Sequence, residues 1–276
     1  MIFVYKKWDE FCKKLADNGI YSIAAKNVSR DTINYLVLKH DVETDVSKAL
    51  ALAKIENKYG HIGSYYVQAY LMKDEKNIQM LKQMQKMGHE ISYHYDVMDS
   101  CHGVIEDAIL EFDKNKAIFE NSGFKLCTLC QHGNPVVERV GYTSNRDFFR
   151  SEIVSQRYSD LSDIMVNYKE KHETDYLYFS DAGRKFKLIY DPINNDVVNS
   201  DDKNIIYKDL NELFDNLSRD GGNILSTHPH RWTKSAFKYI IKATIFKLVK
   251  FVAKILIKIP FMKRFMSKYY HLAKKI

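Results

Sequence analysis

Five short stretches hold most of the chemically capable side chains of this protein. "LKHDVETD" carries His40, Asp41, Glu43 and Asp45; "SYHYD" carries His94 and Asp96; "LCQHGNP" carries His132; "YFSDAGR" carries Asp181 and Arg184; "ILSTHPHRW" carries His228 and His230. Two histidines with one or two carboxylates suit Zn²⁺ or another divalent first-row metal, with coordination positions left open for water and substrate. Glu43 follows Asp41 by two residues and Asp96 follows His94 by two, so on an extended segment each pair shares one side. No serine stands in a nucleophile-elbow sequence, and no glycine-rich phosphate loop occurs. The chemistry this set suits is metal-assisted hydrolysis, in which a metal lowers the pKa of water from about 15.7 towards about 7.

The elements that must position these groups alternate. Apolar periodicity predicts a helix over 6–18, then strand 34–40, helix 44–60, strand 62–68, helix 74–88, strand 90–95, a long helix over 104–123 and strand 124–130. Further strands are expected within 175–191, a helix within 206–222 and a strand over 223–227. Strands separated by helices of this length pair in parallel through right-handed crossovers, in an open α/β sheet or a barrel. All five clusters then fall at the C-terminal ends of strands, the face on which such folds build their sites. Asp45 suits an N-cap better than a ligand. His89, beside Gly88, reads as a turn residue on the opposite rim. "CTLC" at 127–130 reads as strand: it does not open a helix, as a redox pair would, and no second pair completes a zinc site.

A chain of 276 residues, 45% hydrophobic and 28% charged, belongs with soluble globular proteins and can bury one sizeable core. Its net charge of +7 is unevenly spread. From Gly221 onwards there are thirteen Lys or Arg and no Asp or Glu, which leaves 29 basic against 35 acidic residues in the first 220. A nucleic-acid-binding body would carry the basic stripe itself, so that class is excluded. "TIFKLVKFVAKILIKIP" (244–260) sets Lys247, Lys250, Lys254 and Lys258 within about 80° on a helix, with the aliphatic residues mostly opposite. Such a segment is too charged to span a bilayer and reads as a helix lying on an anionic membrane surface. Docking on the body, or on a second copy in a homo-oligomer, is the other reading. "MIFVYKKWDEF" lacks the apolar core of a secretory signal, and four cysteines make no disulfide framework. The expected location is the cytoplasm, peripheral on the inner face of the membrane, with an α/β domain over 1–232 and a basic amphipathic helical tail over 233–276.

In order and content the five stretches resemble the motifs of the NodB-homology polysaccharide deacetylases, carbohydrate esterase family four. Within it they look most like the divergent WbmS-like branch found with surface-glycan biosynthesis genes. The resemblance covers residues 34 to 232. It implies a distorted (β/α) barrel and metal-dependent hydrolysis of N- or O-acetyl groups on a sugar or lipid-linked glycan. By its motifs Asp41 would be the general base, His94 a metal ligand, and His228 the group that protonates the leaving amine or alcohol. Asp181 and Arg184 would orient or tune the base and the acid. Two positions depart from the pattern: the metal-binding Asp after Asp41 is Val42, and the histidine expected four residues after His94 is Met98. Glu43, or Asp41 itself, would stand in for the first, and Asp96, His102 or His132 for the second. The expected ligand set is therefore Glu43, His94, Asp96 and His132, holding Zn or alternatively Mn, Co or Ni. Tyr95, Asn134, His230 and Trp232 are the candidate substrate contacts, although Tyr65, Tyr66, Tyr93, Tyr95 and Trp232 suit core packing as well as stacking on sugar rings. Two other readings stay open. One is a barrel that has lost its metal and serves as a glycan-binding or scaffolding component. The other is a hydrolase of another amide or glycosidic bond, using carboxylates such as Asp41 and Asp181.

Overall fold

The computed structural model describes residues 3–134, 137–189, 193, 205–241 and 243–245. Helix α1 (Tyr5–Asp17) buries Trp8, Phe11, Cys12 and Leu15, the spacing of one helical face. Strand β1 (Leu36–Val42) is buried along its whole length and leads into α2 (Val46–Lys58), which Asp45 caps by accepting from the Ser47 amide at 3.0 Å. The alternation continues through β2 (Gly63–Val67), α3 (Glu75–Lys86), β3 (Glu90–Tyr95), the long helix Ile105–Asn121 and β4 (Thr128–Gln131). The expected strand over 124–130 begins to pair only at Thr128. Short helices and the two-residue β5 (Ser162–Asp163) follow, then β6 (Tyr176–Ser180), β7 (Lys187–Ile189) and β8 (Gly222–Thr227).

The eight strands form one sheet in the order β5-β4-β3-β2-β1-β8-β6-β7, parallel throughout except for the β6–β7 pair. The last strand in the chain thus inserts beside the first. Within the described residues β5 and β7 end the order at either side, so the curled sheet is a barrel left open at one seam. Of the two arrangements the alternation allows, an open sheet or a barrel, this is the barrel-like one that the resemblance implies.

Strand alternation divides the side chains between two faces. Leu36, Leu38, Phe179 and Leu225 pack outwards with α1, whose Trp8 lies beside Trp232, and Ile91, Tyr93 and Tyr95 pack outwards with the long helix. Val37, Tyr66, Cys130, Tyr178 and Ile224 pack together on the inner face. Polar groups join them there, among them Lys39, Asp41 and Ser226, all nearly excluded from solvent. At the bottom of the sheet Gly222 begins β8 so close to Tyr35 that a β-carbon would lie 2.3 Å from the ring.

Residues at the two ends of the body meet. Thr233 donates its amide to the Phe3 carbonyl at 3.0 Å and accepts from the Tyr5 amide at 3.0 Å. Residues 236–241 and 243–245 are helical, and Tyr239 packs against Phe3 with ring centroids 5.9 Å apart. The amphipathic segment predicted over 244–260 falls, from residue 246 on, outside the described residues.

Candidate metal and acid–base site

The C-terminal ends of β1, β3, β4 and β8 bring four predicted residues to one point. Glu43 Oε1 lies 3.5 Å from His132 Nε2, 3.7 Å from His228 Nε2 and 3.9 Å from His94 Nε2. Parallel pairing explains the convergence: His94 is in register with Cys130, two residues before His132, and His40 with Thr227, just before His228. His94 donates from Nδ1 to the Cys130 carbonyl at 3.0 Å, which leaves its Nε2 with a lone pair facing the Glu43 carboxylate. A lone pair and an anionic oxygen turned towards each other in a buried site favour a cation between them.

The spacing suits one. Ligand atoms about 2.0–2.2 Å from a tetrahedral metal stand roughly 3.3 Å apart, slightly closer than these groups are. Glu43, His94 and His132 are buried and offer ligand atoms all within 4.8 Å of one another. The three residues therefore fit a divalent metal, with the backbone bond at His94 Nδ1 supplying the outer support that such ligands need.

A second trio, Asp41, His94 and Cys130, is equally compact but chemically different. Lys39 Nζ lies 2.6 Å from both oxygens of Asp41 and 3.2 Å from Ser226 Oγ. Burial would raise the Asp41 carboxyl, but the Lys39 ammonium, with His94 and His228, brings it down to about 2. Burial pushes the Cys130 thiol well above its usual range. An ammonium on the carboxylate and a neutral thiol make this trio a poor home for a dication.

Asp41 thus differs in setting from the general base that the resemblance implies. It is an anion of low proton affinity, 3.9 Å from His228 Nε2. His228 is held in one orientation. Its Nδ1 donates to Asp181 Oδ1 at 2.6 Å, which aims Nε2 at Asp41 and Glu43. Asp181 is fully buried and also accepts from Thr227 Oγ1 at 2.8 Å, the His228 amide at 3.0 Å and the Arg231 guanidinium. Burial would raise this carboxyl, yet Arg231 and His228 hold it far below the usual carboxylate range.

The other predicted residues fall elsewhere. Asp96 does not share a side with His94, because β3 ends at Tyr95 and the chain turns into the short helix Val97–Ser100. Its Oδ2 lies 3.8 Å from His132 Nδ1, on the opposite side of that ring from Glu43, and its side chain is 43% exposed. His102 is exposed in a left-handed turn (φ 52°), so of Asp96, His102 and His132 it is His132 that joins Glu43 and His94. The guanidinium hydrogen-bonded to Asp181 is that of Arg231; Arg184, left-handed like Gly183 before it, is held below the usual guanidinium range by burial first and by Arg231 next. His40 faces away from the site, 2.8 Å from Glu56 and stacked on Tyr65. His89 is buried below β3, accepting from the Gly63 amide at 2.9 Å and donating to the Ala53 carbonyl at 3.0 Å.

Among the candidate substrate contacts, Tyr95 and Trp232 require correction. Both are fully buried: Tyr95 packs among Phe112, Phe148 and Phe149, and Trp232 packs between Trp8 and Phe3 and donates to Thr227 Oγ1 at 2.9 Å. Neither ring can meet a sugar. His230 stays at the site, its ring 5.7 Å from that of His228 and held neutral by burial. Asn134 is half-buried on the loop after His132, its carbonyl accepting from Arg139 at 2.9 Å. That loop is tied down by Asn145, which donates to the His132 carbonyl at 2.8 Å and to Asp99 at 2.9 Å, while Arg139 grips Asp99 through two nitrogens.

No family model matches the chain, and no curated protein does either. Solved structures include two similar ones. The catalytic domain of a peptidoglycan N-acetylglucosamine deacetylase from Eubacterium rectale is 12% identical over 77% of this chain and 85% of its own, with a TM-score of 0.42. A peptidoglycan deacetylase from Bdellovibrio bacteriovorus is 12% identical over 84% of this chain and 55% of its own, with a TM-score of 0.33. Similarity at this level leaves the chemistry to be read from the side chains.

Proposed function

We propose that this chain is a metal-dependent hydrolase that removes acetyl groups from a carbohydrate or lipid-linked glycan. The observation that carries the reading is one carboxylate oxygen of Glu43 facing the Nε2 atoms of three histidines at 3.5–3.9 Å. Glu43, His94 and His132 would hold the metal, which when bound supplies Lewis acidity towards a carbonyl and acidifies water. His228 holds or releases a proton at Nε2, with Asp181 and Arg231 fixing its tautomer and orientation. His228 would take up the proton that the attacking water gives up and pass it to the leaving amine or alcohol, so that no net proton is needed. Asp41, kept anionic by Lys39, accepts a hydrogen bond from the attacking water and orients it. The motif order along residues 34–232 supports the acetyl-sugar assignment.

The glycosidic alternative draws less support: that chemistry needs one carboxyl with a raised pKa, whereas Asp41 and Asp181 are both held low by neighbouring cations. The decisive experiment measures metal by mass spectrometry on untagged protein purified without chelators, together with acetate and reducing ends released from acetylated saccharides. Near-stoichiometric metal, lost in His94→Ala and His132→Ala, with acetate release and no new reducing ends, is the expected result. Protein that takes up no metal on reconstitution overturns the reading in favour of a glycan-binding scaffold.

A further inference from the structure

We infer that the C-terminal helix rests on an anionic lipid surface through a stripe that starts with Phe237, Ile241 and Ile245. The two sides of this helix are used differently from its first turn. Tyr239 is 7% exposed against Phe3, and Ala243 also packs on the body. Phe237 is 71% exposed, Ile240 53%, Ile241 43% and Ile245 42%. At about 100° per residue Phe237, Ile241 and Ile245 share one side, and Tyr239 lies well away from them. The body is already covered by the tyrosine side, so the aliphatic stripe faces outwards.

The occupant follows from the charge. In the sequence the same spacing returns Leu248, Val252 and Leu256 to the stripe, with Lys247, Lys250, Lys254 and Lys258 opposite. No acidic residue occurs after Asp220, so the segment carries no counter-charge of its own. A second copy docking stripe to stripe would bring two such basic segments together, which is repulsive. A surface of anionic headgroups neutralises the lysines while its acyl boundary takes up the aliphatic side chains. Among the described residues no helix is long and apolar enough to cross a membrane. The body, with 29 basic against 35 acidic residues before Gly221, is repelled by the same surface, so only the tail adheres.

The test uses the full chain and flotation with vesicles of phosphatidylcholine alone or with about one third phosphatidylglycerol. Binding to the anionic vesicles only, weakened several-fold by added salt, is expected. The double variant Ile241→Ser with Ile245→Ser should bind about tenfold or more weakly while keeping the circular dichroism and melting temperature of the parent. Equal partition onto both vesicle types, or onto neither, overturns the inference. So does a dimer in light scattering that the same double variant dissociates, because a second copy would then own the stripe.

Discussion

Behind the site, on the other side of β1, the Glu56 carboxylate accepts from Trp8 Nε1 at 3.0 Å and Tyr65 OH at 2.7 Å, with His40 Nε2 at 2.8 Å and His89 Nδ1 at 3.9 Å. Gly63 is required above it, since a β-carbon there would meet Glu56 Oε2 at 2.7 Å. Burial would raise this carboxyl, but His40, His89 and the Tyr65 hydroxyl bring it from 4.5 down to about 2. A carboxyl depressed on folding by that amount contributes about 3 kcal/mol. The contribution is fully present above the unfolded pKa of about 4.5 and is lost as the pH falls through about 2. Glu56→Gln removes it at all pH values. The stability gap between parent and variant, measured by urea unfolding, should therefore be at least about 3 kcal/mol at pH 7 and narrow by about 2 kcal/mol at pH 3. Taking the difference cancels every other carboxylate. A gap of constant size from pH 7 to pH 3 would refute the reasoning, since Glu56 would then matter through its shape and not its charge.

Other consequences are equally open to test. Asp181→Asn removes the acceptor of His228 Nδ1 and should lower kcat by about three to four orders of magnitude with metal content unchanged, the scale known for a histidine that loses its aspartate; a loss under tenfold would remove His228 from proton transfer. Trp232→Ala should cost about 3–5 kcal/mol in denaturant unfolding while KM of the folded enzyme holds, because the ring is core and not subsite. Asn145→Ala frees the loop that carries His132 and should weaken metal binding about 10- to 100-fold by competition with a chelating dye. Unchanged affinity would mean that Asn145 supports the fold alone.

Periodicity in the sequence was enough for the layers and for the face that holds the site, since β1, β3, β4 and β8 deliver Glu43, His94, His132 and His228 as their strand ends predict. The stretch 136–174 reads in the sequence only as a mix of loops and short helices, because the helices described there, such as Asp147–Arg150 and Tyr168–Lys171, are too brief to show a period. Lys39 escaped notice because a lysine near a strand end reads as surface. Yet it precedes Asp41 by two residues, and the same alternation that pairs Asp41 with Glu43 places it on their face. Tyr95 was misassigned against that rule, being adjacent to His94 and so on the opposite face. Arg231 and Arg184 could not be ranked from sequence, because Arg184 is near Asp181 in the chain whereas Arg231 reaches it only through the β6–β8 pairing.

Because His94 stands on β3 and His132 just after β4, a bound metal would join two strands of the sheet. β4 is four residues long and meets β3 at only two registered pairs, His94 with Cys130 and Tyr95 with Gln131. An ion shared by His94 and His132 would act as a cross-strand staple at a short seam of the parallel run. Metal occupancy and the local opening rate of β4 would then be a single coupled equilibrium, visible as slower amide exchange at Leu129 to His132 when metal is added.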